Sequence, residues 1–250
     1  MTASGLVRAG PISLAGVLLV WTAIALPAVW RSADAERIAA QIVGGRSFQL
    51  DAVRQASVED VSQTSAGHCQ PAARRAAAIL RLYLFEDAAS VLRRDEADRL
   101  LAELRTGLRS ALRCIPTDAY LWLVLFSMES RSGVQPQHLA YLRMSYANAP
   151  NEGWIALKRN PVALGSFTML NDELARLAVN EFAQIVQNGL YDDAAAIFAA
   201  VGPEARIAVL VRLIDVPLVH RERLSRALDA MLPGVPIPGV DRSDDQPWKR

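Results

Sequence analysis

Near the N-terminus lies an uncharged run of nineteen residues, Ile12 to Trp30 (ISLAGVLLVWTAIALPAVW), bracketed by Arg8 and Arg31. No other feature restricts the chain more, because it decides which solvent the rest must meet. At about 1.5 Å of rise per residue, a run of this length crosses a ~30 Å hydrocarbon core as one helix. Three readings are open. The run is an uncleaved signal anchor, a cleaved secretory signal ending at the small-x-small site Ala33-Asp34-Ala35, or a buried core helix. A secretory apolar region usually spans ~7–15 residues, and Arg31 stands between this run and the cleavage site, so the anchor is favoured. The run has no polar face, which speaks against a core helix at a protein surface.

Charge leaves orientation weakly determined. Arg8 lies on one side of the run and Arg31, Arg37 and Arg46 on the other, a slight lean toward a cytoplasmic domain. The cysteines point the other way. Cys69 and Cys114 are the only two in the chain, and two helical stretches lie between them. The first opens at Pro71. The second carries Asp95 and Asp98 near its start and Leu101, Leu104, Leu108, Ala111, Leu112 and Ile115 along one face. The break falls near Arg93-Arg94, with Cys69 24 residues before Arg93 (93 − 69 = 24) and Cys114 21 residues after it (114 − 93 = 21). Antiparallel helices of such similar length bring both sulfurs to the open end of one hairpin. A disulfide there closes a loop worth about 4 kcal/mol in the chain-entropy model and implies an oxidising compartment. The other reading is a pair of small buried thiols. No metal is expected: His68 precedes Cys69, but Cys114 has no neighbouring ligand and there is no C-x-x-C.

The remaining chain reads as all-α. A net charge of +1 gives no dense basic face, so no nucleic-acid partner is expected. Four segments follow: an N-terminal tail and transmembrane signal anchor (1–31), a connector (32–68), an α-helical domain (69–232) and a disordered Pro/Gly-rich tail (233–250). In the connector, Ala33–Val43 continues the anchor helix and Gly44-Gly45 ends it. Helices are predicted from a Thr117 or Asp118 cap to Met128, over Pro136–Ala147, and over Asn151–Asn160 with Pro161 as its stop. Further helices run from an Asn171 or Asp172 cap to Gln187, and over Asp192–Val201, Pro203–Ile214 and Leu218–Met231. Short links favour antiparallel neighbours.

Pro116 and Pro150 stand 34 residues apart (150 − 116 = 34), each opening a new unit. The first unit reads P-T-D-A-Y-L-W, with Trp122 six residues after the proline and Leu125 three further on. Later, GLYDDAAAIFAAVGP sets Gly189 and Tyr191 at a turn, Ala194 and Ala195 for close packing, and Phe198 as a knob. Over Pro116–Pro203 the chain resembles tetratricopeptide-repeat proteins, which implies antiparallel helical hairpins stacked into an α-solenoid. It departs from that pattern at Phe126, Glu129, Trp154 and Pro161. The segment YLRMSYANAPNEGWIALKRN (Tyr141–Asn160) resembles membrane-anchored proteins linked with bacterial polysaccharide biosynthesis, which implies an accessory role in the cell envelope.

Motifs that carry chemistry are absent: no G-x-S-x-G, no phosphate-binding glycine loop and no H-E-x-x-H. Met128-Glu129-Ser130-Arg131 resembles the glutamate–serine pair of lytic transglycosylases, in which Glu129 would be a general acid, but the glycine-rich segment of that family does not follow. The chain is therefore read as a non-enzyme without a cofactor. A helical-repeat stack offers a concave groove, and Tyr141, Arg143, Trp154, Lys158 and Arg159 are its candidate lining, a mix that suits acidic peptides or acidic polysaccharide. The other reading buries Tyr141 and Trp154 in the core and leaves the cations solvated. The expected function is a scaffold or adaptor in the bacterial inner membrane. Its C-terminal domain would lie in the periplasm, its partners would be envelope proteins, and the lipid bilayer would hold residues 12–30. An acidic-glycan binder and a glycan-cleaving enzyme using Glu129 are the alternatives.

Overall fold

The computed structural model describes residues 15–17, 19–23, 33–63, 69–91 and 93–241, with the backbone alone over 58–63. The anchor expected at Ile12–Trp30 falls largely outside these residues. The described part, 15–17 and 19–23, is helical and exposed. Among the described residues no helix is long and apolar enough to cross a membrane. The described chain is helical throughout, without a strand. It divides into two compact units, Met1–Pro116 and Thr117–Arg250. The boundary between them, Pro116–Thr117, falls inside the span 69–232 expected as one helical domain.

In the first unit, helix α1 covers 33–43 and stops at Gly44-Gly45, where Gly45 turns the chain at φ +88°, a left-handed value that glycine adopts without steric cost. Helix α2 (Leu50–Gln63) packs on α3 (Pro71–Ser90) and buries Val53 and Ala56. Within the connector expected at 32–68, the helix over Ala33–Val43 and its stop at Gly44-Gly45 are as expected, whereas α2 forms where only a polar linker was expected. Tyr83 fastens this segment by accepting the Phe48 N–H (3.0 Å) and donating to the Phe48 carbonyl (2.9 Å).

Helix α4 (Arg94–Cys114) returns antiparallel along α3. Arg74 of α3 donates to Ser110 Oγ at 3.1 Å, and the Arg81 side chain lies over Gly107, where a Cβ would come within 3.1 Å of Nη1. Its buried stripe is Leu100, Leu104, Leu108, Ala111 and Leu112, so Leu100 takes the place assigned to Leu101. Each leucine buried this way contributes about 1.5–3 kcal/mol. Asp95 and Glu96 in the first turn and Arg113 in the last complement the helix dipole.

The second unit holds α5 (Ala119–Glu129), α6 (Leu139–Asn148), α7 (Gly153–Gly165), α8 (Asp172–Gln187), α9 (Tyr191–Ala200), α10 (Pro203–Leu213) and α11 (Leu218–Asp229). Two starts are set by side-chain caps. Asp118 accepts the Leu121 N–H at 2.9 Å, and Asn171 accepts the Leu174 N–H at 3.0 Å. Helix α8 ends in a Schellman turn: Gly189 at φ +81° lets its N–H reach the Val186 carbonyl (3.0 Å) and the Leu190 N–H reach that of Ile185 (3.2 Å).

The stop expected at Pro161 is corrected, since α7 runs through it. Proline removes the N–H that would bond the Leu157 carbonyl and crowds that oxygen. The continuation buries Ala163 and Leu164, and α7 packs on both α8 and α9. The tail expected to be disordered from Pro233 is also corrected over its described part. Ile237 is buried in the core of this unit, and Arg221 donates to the Pro238 carbonyl. Residues 242–250 of that tail lie outside the described residues.

Helix packing in this unit follows a rule. Besides the neighbouring pairs α5–α6, α7–α8 and α8–α9, each helix from α5 to α9 meets the next but one: α5 meets α7, α6 meets α8, α7 meets α9, α8 meets α10 and α9 meets α11; α8 also meets α11. Ala119 and Gly153, which open α5 and α7, repeat the 34-residue interval of Pro116 and Pro150 (153 − 119 = 34).

Candidate functional site

Three helices of the second unit meet around one buried ion pair. Arg159 of α7 is 0% exposed and Glu181 of α8 is 4% exposed. Arg159 sits where α7 turns inward, in register with Ile155 and Ala163. Glu181 interrupts the buried stripe of α8 between Ala178 and Phe182.

The guanidinium has every face engaged. Its Nε and Nη2 donate to Glu181 Oε1 at 3.0 and 2.6 Å. Its Nη1 donates to the Ser145 carbonyl and Oγ at 2.7 and 3.2 Å, and Nη2 also reaches the Ala149 carbonyl at 3.0 Å. Its carbon lies 4.0 Å from the centre of the Tyr146 ring. Arg159 therefore ties the end of α6 to α8: it joins the Ala149 N–H on the Ser145 carbonyl and engages the Ala149 carbonyl just past the helix end.

Glu181 Oε2 accepts from Tyr146 Oη at 3.1 Å and Asn160 Nδ2 at 3.3 Å, and the same amide donates to the Ala178 carbonyl at 2.8 Å. Burial pushes the Glu181 carboxyl above the ordinary range. Hydrogen bonding and charge from Arg159, then the Asn160 and Tyr146 contacts, oppose that rise. Tyr146 is held well above its ordinary value, first by burial and then by the Glu181 charge. With four donors on its two oxygens, Glu181 is committed to structure and offers no lone pair set up as a general base.

One side of this node borders a cleft of about 250 Å³. It lies between the start of α7 (Pro150, Asn151, Gly153, Ala156) and the end of α8 (Gln184, Gln187, Asn188), with Glu181 in its wall. No lysine, arginine or histidine lines it; apart from the Glu181 carboxyl, its polar side chains are amides, which present donors and acceptors together.

The five residues proposed as a groove are not gathered on one surface. Arg159 faces the core. Arg143 is exposed and paired with Glu173 at 3.2 Å. Tyr141 is half-buried and stacked against Trp122, ring centres 5.9 Å apart. Trp154 is exposed at the start of α7, 5.5 Å from Tyr120, and Lys158 is exposed one turn further on. The cations separate because positions 158 and 159 of a helix differ by about 100° in direction.

Glu129 is half-buried at the end of α5, followed by Ser130, whose Oγ lies 3.3 Å from His138 Nδ1. His220 meets Tyr191 Oη at 2.8 Å, and His68 lies outside the described residues. Among the described residues, no group of three or more His, Cys, Asp or Glu is placed to hold a metal ion.

In the first unit, Cys69 and Cys114 stand at disulfide distance, with their Cα atoms 5.6 Å apart across a sequence separation of 45.

Glu181 and Asn160 complete the site, and no motif in the sequence marks either of them. A signal for Glu181 existed: an acid on an otherwise apolar 3–4 stripe (Leu174, Ala178, Phe182, Ile185) requires a buried cation, and Arg159 occupies the matching register of α7.

No protein-family model, no curated protein and no solved structure matches this chain.

Proposed function

We propose that this chain is a membrane-anchored helical-repeat scaffold of the bacterial cell envelope. Residues 12–30 are its signal anchor, and its helical domain lies on the extracytoplasmic face. The observation that carries the reading is the next-but-one helix packing from α5 to α11. That is how a stack of hairpins buries a continuous core, each pair resting on its neighbours. Three details support a tetratricopeptide-like character. The 34-residue interval recurs in helix starts, Ala194 and Ala195 are fully buried where close helix approach is wanted, and Phe198 packs on Phe182 at 6.3 Å.

The placement of Cys69 and Cys114 supports an oxidising compartment, hence the periplasm. The resemblance of Tyr141–Asn160 favours work in polysaccharide assembly or export. Such a protein acts by holding partners together, so it needs no reactive centre. Amine-reactive crosslinking in intact cells, with mass-spectrometric identification of the adducts, tests this. The reading expects defined envelope proteins crosslinked to the helical domain, and recovery of no protein partner overturns it.

A further inference from the structure

The cleft beside the Arg159–Glu181 node contains a glycine that the fold does not call for. Gly153, the first residue of α7, lines the cleft and is exposed. Its φ is not left-handed, and a Cβ built there meets no atom within 4 Å. Neither the backbone nor the packing of this chain therefore requires glycine at 153. The remaining use of glycine is to let something from outside approach the main chain closely. The N–H groups of a first helical turn have no partner within the helix, and the N-cap Glu152 makes no side-chain bond to them. The α7 wall thus offers donors beside an open backbone.

The α8 wall supplies acceptors as well as donors. The carbonyls of Gln184, Ile185 and Val186 are taken by the N–H groups of Asn188, Leu190 and Gly189, so what this wall offers is its side chains. Gln184, Gln187 and Asn188 are exposed along it, and Asn151 is exposed on the α7 side. Among the described residues none of these four amides has a side-chain hydrogen bond. Each presents an NH2 donor and a carbonyl acceptor.

This chemistry selects the occupant. A phosphate or carboxylate seated in the cleft would lose its water and meet no cation. A sugar ring is gripped by stacking its apolar face on an aromatic side chain, and no aromatic residue lines the cleft. An extended polypeptide, by contrast, carries one N–H donor and one carbonyl acceptor on almost every residue, which side-chain amides match. The volume of about 250 Å³ lies below the roughly 300–1,000 Å³ of sites that enclose a whole small ligand, so it suits a short stretch of a longer chain.

We propose that the cleft between the start of α7 and the end of α8 binds an extended segment of a partner protein through the main chain of that segment. Gly153 is the point of closest approach, and Asn151, Gln184, Gln187 and Asn188 are the hydrogen-bonding groups. Because main-chain groups are gripped, the side chains of the partner are free to vary, with one restriction: Asp and Glu are excluded from the seated stretch, where no cation receives them. The proposal rests on the scaffold reading and gives it a docking site.

The test places the photoreactive residue p-benzoylphenylalanine at Glu152 of the full-length chain in its own cells. Glu152 is exposed and sits between the lining residues Asn151 and Gly153; Arg176, exposed on α8, is the control position. A protein adduct is expected at 152 and not at 176, on a peptide without Asp or Glu at the attachment point. Two variants probe the cleft itself. Gly153→Leu fills it from a position with room for a side chain, and Gln184→Ala/Asn188→Ala removes two of the amides. Each should lower the yield about tenfold or more, as loss of roughly 1.4 kcal/mol requires. Unchanged thermal melting of the purified variants confirms that they fold.

A glycan adduct, an adduct with a segment of this chain itself, an equal adduct at 176, no adduct, or a yield indifferent to both variants each overturns the proposal. Amine crosslinking of the whole surface separates the two failures. If it recovers partners while position 152 does not, the scaffold stands and this cleft falls; if neither does, both fall.

Discussion

Removing either member of the Arg159–Glu181 pair should damage the second unit, but not in the same way. Glu181→Leu takes away the acceptor of two Arg159 bonds (3.0 and 2.6 Å) and leaves a fully buried guanidinium without a counter-charge. Arginine does not neutralise by losing a proton, so its remaining carbonyl contacts at Ser145 and Ala149 must hold a bare cation. The expected loss is about 3–5 kcal/mol.

Arg159→Met leaves a buried carboxylate with only Tyr146 and Asn160, and this group can escape its charge by protonation. Its folded-state pKa is raised by burial already in the wild type, and the substitution removes the main opposing group. A carboxyl whose pKa is raised on folding contributes stability that is complete below the unfolded value, near 4.3, and is lost as pH rises through the folded value. Arg159→Met should therefore recover stability as pH falls from neutrality toward 5, by up to about 1.4 kcal/mol per pH unit, whereas the deficit of Glu181→Leu should stay level.

The double variant Arg159→Met/Glu181→Leu should cost less than the sum of the singles by roughly 2 kcal/mol or more, because neither charge is left alone. Hydrogen exchange of α7 and α8 amides in the full-length chain, read by mass spectrometry, measures these opening energies in this unit alone. The reasoning is refuted if the single costs add to within about 0.5 kcal/mol, or if the pH response belongs to Glu181→Leu instead of Arg159→Met.

Two further outcomes can be checked the same way. Asp118→Ala and Asn171→Ala should each cost about 1 kcal/mol, with faster exchange confined to the first turns of α5 and α8, since each removes one side-chain cap. Gly189→Val should cost about 1–2 kcal/mol, because φ +81° is steric strain for a β-branched residue; thermal melting of Gly189→Asn beside it should show a smaller drop, asparagine tolerating that region.

The parts of the fold written in local chemistry were legible. Asp118, Asn171, Pro71 and Pro203 mark helix starts by what a first turn needs, and the hairpin was readable because Cys69 and Cys114 lie nearly equidistant from Arg93. What failed was decided at a distance. Pro161 is a local stop that tertiary packing overrides through Ala163 and Leu164. Arg159 was read by its charge as a surface cation, yet its partner Glu181 stands on another helix. Helix α2 carries only a thin apolar face, Val53 and Ala56, so its segment reads as polar linker. Ile237 is a lone anchor inside a stretch of proline and glycine, and composition averages it away.

A helical-repeat scaffold held outside the cytoplasm stands or falls on the thiol state of Cys69 and Cys114 in intact cells. Cells are quenched rapidly in acid, denatured, and treated with a bulky maleimide with and without prior reduction. Both cysteines should resist labelling until reductant is added, in keeping with sulfurs on Cα atoms 5.6 Å apart in an oxidising compartment. Immediate labelling of both without reductant would contradict it, placing the domain in a reducing compartment and moving the search for its partners inside the cell.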